Sequence, residues 1–103
     1  MIIALDTARR KIEIEENDVL TKLSARVAGP KDLGWLPADL AVDADGQHLW
    51  ASTSWLRATA APASNPDGWK TEFDAMIRYA SHKGWVNADN GMVRVHIEPV
   101  RES

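Results

Sequence analysis

The chain has 103 residues, of which 45% are hydrophobic and 26% charged, with a net charge of −3. These values fit one soluble globular domain over 1–103, large enough to fold without a disulfide or a metal. The acidic balance argues against bulk attraction to nucleic acid or anionic lipid. The lack of cysteine excludes disulfides, thiol catalysis and thiolate metal sites, and no apolar run approaches the roughly 20 residues of a membrane helix.

The opening Met1 to Leu5 is apolar but is interrupted by Asp6 and lacks a basic leader, so a cytoplasmic protein without a signal peptide is expected. Five tryptophans with abundant alanine and arginine suggest a GC-rich bacterial genome. Ile2 to Asp6 reads as a short strand. The run Arg9-Arg10-Lys11 is followed by Glu13, Glu15, Glu16 and Asp18, a charge-alternating solvated face rather than a binding patch. Within it Ile12 and Ile14 alternate with charges, which predicts a half-buried strand over 11–16 paired with the first across a turn at 6–9.

Residues 18–28 fit either period. Val19, Leu20, Leu23 and Val27 suit a helix, and Thr21, Leu23, Ala25 and Val27 suit a strand; β-branched content favours the strand. Gly29-Pro30, Gly34 and Pro37 mark a loop over 29–38, in which Trp35 and Leu36 must fold back over the core. Leu40 to Asp43 and His48 to Ala51 flank Ala44-Asp45-Gly46-Gln47, a second hairpin. Ser52 or Thr53 caps a short helix (about 53–61) that Pro62 ends.

The clearest stretch is 65–98. Asn65 can cap, Pro66 suits the first helical position, and Asp67 complements the dipole. Trp69, Phe73, Met76, Ile77 and Ala80 recur at helical spacing along a helix of about 66–83. His82 and Lys83 occupy its last turn and Gly84 stops it. Trp85-Val86 begins a strand, Asn90-Gly91 turns the chain, and Val93, Val95 and Ile97 alternate with polar residues. Trp69 and Trp85 are expected in the core. With about six or seven strands and no βαβ alternation, the expected fold is α+β: an antiparallel sheet of hairpins with the long helix on one face and the short helix beside it.

Chemistry is sparsely signalled. Asp43-Ala44-Asp45-Gly46 invites a calcium reading, but setting Gly46 at the sixth loop position puts Ala41 first and Ser52 twelfth, where acidic ligands are needed. The Asp-Gly pair is a turn. No two of His48, His82 and His96 share a local metal-binding spacing, so neither metal nor cofactor is expected. His96 alternates out of phase with Val95 and Ile97 and should face away from the core. If 48 and 96 sit on neighbouring strands, the two histidines converge on a site. There is no nucleophile elbow and no phosphate-cradling loop, so a binding module is favoured over an enzyme.

The stretch Phe73 to Ile97, a helix followed by Gly84-Trp85-Val86, a turn and a strand, resembles the recognition helix and wing of winged-helix DNA-binding domains. That resemblance implies nucleic-acid binding. Between 70 and 98, however, Lys70, Arg78, Lys83 and Arg94 are balanced by Glu72, Asp74, Asp89 and Glu98, and phosphate binding needs uncompensated positive charge. The favoured reading is a small interaction module, possible as a homodimer, that binds a protein or a small apolar ligand. Its candidate surface is Trp35, Trp50 and Trp55 with His48 and His96, because tryptophans outside regular elements often line pockets. The other alternative is a small cofactor-free enzyme with a histidine–carboxylate acid–base site.

Overall fold

A computed structural model describes residues 1–29 and 33–98. Pro30, part of the expected loop punctuation, lies outside them. Among the described residues seven strands and two helices follow in the order β1 (Ile2–Asp6), β2 (Lys11–Glu15), β3 (Ser24–Ala28), β4 (Leu40–Val42), β5 (His48–Ser52), α1 (Thr53–Ala60), α2 (Pro66–His82), β6 (Val86–Asn87) and β7 (Met92–Glu98). The fold is α+β, and among the described residues no helix is long and apolar enough to cross a membrane.

The strands form one sheet in the order β2-β1-β3-β7-β5-β4, with β6 also bonded to β7. The sheet is mixed, which corrects the expectation of antiparallel pairing throughout. Hairpin partners β1–β2, β4–β5 and β6–β7 are antiparallel, as is β5–β7, but β1–β3 and β3–β7 are parallel. The cause is the connection after β2. Glu15 and Ser24 both pair with Ile2, so the 16–23 segment passes around the start of β1 and β3 enters on its other edge in the same direction. The segment is a turn that leads into a strand, with no helix. It is tied to Met1, whose ammonium donates to the carbonyls of Val19 (2.6 Å) and Lys22 (2.8 Å).

Period-two alternation puts one residue set on each face. Ile3, Leu5, Ala25, Val27, Leu49, Ala51, Val93 and Val95 are buried and share one core with Leu56 and Ala60 of α1 and Trp69, Phe73 and Ala80 of α2. Both helices therefore cover the same face. Trp69 and Phe73 stack with centroids 5.1 Å apart, and the Trp69 indole N–H donates to the Asn17 carbonyl (2.6 Å). Asn17 in turn donates to the Ala60 carbonyl at the end of α1 (2.8 Å), so one turn satisfies polar groups of both helices.

The helix ends differ in how they are capped. The Ser52 hydroxyl accepts from the Trp55 N–H and caps α1. Asn65 makes no side-chain cap: its φ is 51°, in the left-handed region. Pro66 disfavours the right-handed helical region for the residue before it, and asparagine tolerates the left-handed alternative. At the other end, the Gly84 N–H donates to Ser81 and the Trp85 N–H to Ala80, with Gly84 at φ 79°. This is a Schellman motif, in which an aromatic two residues past the cap folds against the last turns. Trp85 packs edge-on to Tyr79 at 6.2 Å and is 44% exposed. It is a helix-end residue and lies outside the core, contrary to expectation.

Candidate functional site

The face of the sheet opposite the helices carries the polar residues. Leu49 and Val95 point into the core, so His48, Trp50, Arg94 and His96 point the other way. In the β5–β7 register Trp50 lies opposite Arg94, and His48 lies opposite His96. The four side chains form a two-by-two block on the open face. The imidazole centroids are 5.3 Å apart with the rings inclined at 62°.

The β4–β5 loop brings two carboxylates to this block. Asp43 Oδ1 accepts from the Ala44 N–H (2.9 Å), and Asp45 Oδ1 from the Gln47 and His48 N–H groups (2.8 and 3.2 Å). The Asp45 bond to Gln47 is an Asx-turn. Each carboxylate has its other oxygen aimed across the sheet. Arg94 Nε donates to Asp43 Oδ2 (3.1 Å), and Arg94 Nη2 to Asp45 Oδ2 (2.8 Å). The Trp50 indole N–H donates to Asp43 Oδ1 (3.2 Å). His48 Nδ1 is 2.7 Å from Asp45 Oδ2. An ionised carboxylate only accepts, so Nδ1 carries the proton and, in the neutral ring, Nε2 presents the lone pair.

Both carboxyls are held below the usual carboxylate range. For Asp43 the leading cause is the Trp50 indole, followed by the Ala44 N–H and Arg94. For Asp45 it is the Gln47 N–H, followed by His48 and Arg94. Partial burial opposes the shift in both.

β5 occupies one edge of β7, so β6 and β3 share the other. β6 pairs at Met92 and Val93, and β3 from His96 onward. Between them a notch opens at Arg94 and His96. It is a cleft of about 230 Å³ lined by Leu23, which precedes β3, by Trp85, which precedes β6, and by His48, Arg94 and His96. The Arg94 N–H donates to the Trp85 carbonyl at 2.7 Å and fixes that wall.

The structure brings together three of the five residues singled out from sequence. His48 and His96 meet in the notch, and Trp50 adjoins it through Asp43. Trp55 is half-buried against the core in α1, and Trp35 is half-buried in the loop before β4; neither lines the notch. The Trp35 indole nitrogen is enclosed and has no hydrogen-bond partner among the described residues. Sequence reasoning missed Asp43, Asp45, Arg94, Trp85 and Leu23 as site residues. Arg94 was within reach, since it is in phase with His96. Trp85 was not, because its position depends on how α2 ends.

No protein-family model matches the chain, and neither curated proteins nor solved structures give a significant match.

Proposed function

We propose that this chain is a small ligand-binding module whose site is the notch on the open face of the sheet. The observation that carries the reading is the convergence of His48 and His96 with Arg94 and Trp85 in one recess, where the β7 edge passes from pairing with β6 to pairing with β3. Two imidazoles offer adaptable donors and acceptors, and the indole and Leu23 supply apolar walls, the mixture typical of small-molecule sites. The cleft is smaller than the roughly 300–1,000 Å³ of drug-sized sites, so its ligand is a compact molecule or one projecting group. Arg94 is held by two carboxylates and acts as part of the floor.

A second reading, an acid–base enzyme, is favoured by one contact. Asp45 orients His48, which lines the recess, through Nδ1, which is how a carboxylate prepares an imidazole to accept a proton at its other nitrogen.

An NMR screen of small aromatic acids and amides, read at the imidazole and indole resonances, tests the first reading. One ligand class should shift His48, His96 and Trp85 together, and Trp85→Ala should abolish the effect in a variant that circular dichroism finds folded. Backbone amide shifts confined to the groove between the helices, around Arg57, Ile77 and Ser81, would remove the notch from consideration. Turnover lost in His48→Gln while binding persists would mark the enzyme reading.

A further inference from the structure

We infer that the notch is a site for a divalent transition-metal ion of zinc-like chemistry, with His48 and His96 as its two protein ligands and Asp45 as the outer carboxylate that fixes His48. The inference deepens the binding reading above and rests on the same recess. It departs from the sequence, in which the two histidines lie far apart and share no chelating spacing.

The spacing of the rings is the first argument. A zinc–nitrogen bond of about 2.0–2.1 Å puts an imidazole centroid about 3.2 Å from the metal, so two ligands at a tetrahedral angle have centroids about 5.2 Å apart. The observed separation is 5.3 Å. Backbone pairing holds it, because residues 48 and 96 are directly opposite on adjacent antiparallel strands. His48 is held by Asp45, so only the His96 ring needs rotation about χ2, a soft torsion, to aim a nitrogen at the same ion.

The second argument is the outer shell. A metal-bound histidine nearly always donates its other N–H to a carboxylate or a carbonyl, which fixes the tautomer and raises the basicity of the ligating nitrogen. Asp45 makes that contact with His48 at 2.7 Å, and its second oxygen is anchored by the Gln47 and His48 backbone N–H groups. His48 is thus already arranged as a ligand.

Charge is the third. Two carboxylates against one guanidinium leave a negative charge beside the recess to offset a cation. Asp43, Asp45 and His48 have potential ligand atoms within 4.8 Å of one another. Arg94 already sits on both carboxylates, however, so the ion belongs on the imidazole side and the aspartates act at a distance. Nitrogen donors select zinc, copper or nickel over magnesium and calcium. Two protein ligands leave coordination positions open to water or to a small ligand, which is where the bound molecule of the preceding section would attach.

Calorimetric titration of the full chain with Zn²⁺ alone tests this. One equivalent should bind in the micromolar range. His48→Gln and His96→Gln should each weaken binding about tenfold or more, and Asp45→Asn by about tenfold, the usual cost of losing an outer-shell partner. His82→Gln, on the exposed end of α2, should leave binding unchanged. His48 and His96 are not buried, so circular dichroism should find both variants folded. Zn²⁺ affinity equal in wild type and in the His48→Gln/His96→Gln double variant would overturn the inference, as would loss of binding in His82→Gln. Absence of Zn²⁺ binding while an organic fragment still occupies the notch would sink the metal and spare the binding module. One-equivalent Zn²⁺ binding through both histidines without any fragment binding would uphold the metal alone.

Discussion

Arg94 organises the open face. Its side chain lies opposite Trp50, bonds Asp43 and Asp45, and so offsets the repulsion between two close carboxylates. Because both aspartates bind protons less readily in the folded chain than in the unfolded one, their contribution to stability is complete above the unfolded carboxylate value, about 3.9. It is lost as pH falls through the lower folded values. Carboxyl NMR titrations should therefore place both midpoints below that value, and Asp43→Asn should flatten the acid limb of the stability–pH curve. A midpoint for Asp43 at or above the ordinary value would contradict the hydrogen bonding described. Arg94→Met makes a complementary prediction. Two carboxylates without their guanidinium then repel, so the variant should lose stability at neutral pH, and chemical denaturation should find the loss shrinking at acid pH as they protonate.

At the scale of elements, α2 places its aromatic pair, Trp69 and Phe73, in the core. Phe73 is 1% exposed and stacks on Trp69. Phe73→Ala should cost about 3–5 kcal/mol by urea titration, a large part of the roughly 5–15 kcal/mol a domain has. A loss under about 1 kcal/mol would mean the helix stripe is misplaced. The stop at Gly84 is a second test. Its φ of 79° is penalised for any residue with a Cβ, so Gly84→Ala should cost about 1–2 kcal/mol even though open space surrounds the position. Trp85 depends on the same motif, so this substitution should also alter the notch wall, visible as a change in indole emission.

For the whole molecule, net charge and its pairing govern association with polyanions. Arg94 is committed to Asp43 and Asp45, Arg57 to Asp74, and Arg26 to Glu15. β7, the strand that a winged-helix reading would place in a wing, is bonded along both edges inside a seven-stranded sheet. Mixed duplex DNA should bind no tighter than about 10⁻⁴ M at physiological salt. A salt-sensitive submicromolar complex in fluorescence anisotropy would revive that reading.

Local periodicity was legible because it follows from burial along one element. Ile12 and Ile14 in β2, the Trp69–Phe73–Ala80 stripe of α2, and Val93 and Val95 in β7 could all be placed from their neighbours alone. Ser52 as a cap and Gly84 as a stop were equally local. Strand direction was not, because alternation reads the same whichever way a strand runs, and only the path of 16–23 around Met1 makes β3 parallel to β1. The candidate site is mostly of this second kind. His48 and His96 could be assigned to the outer face from their phase, but their being opposite each other is a matter of register between strands distant in the chain. Asp45 read as a turn residue and Asp43 as the end of the strand before it, and only Arg94 arriving from β7 makes them an electrostatic network. By itself the sequence determined the buried stripes of the periodic elements and the cap and stop of the helices, since those depend on contacts a few residues apart, but not the exposure of Trp85 or the start of β3. Tertiary structure alone decided which polar side chains meet, because that depends on pairings whose partners the chain does not mark.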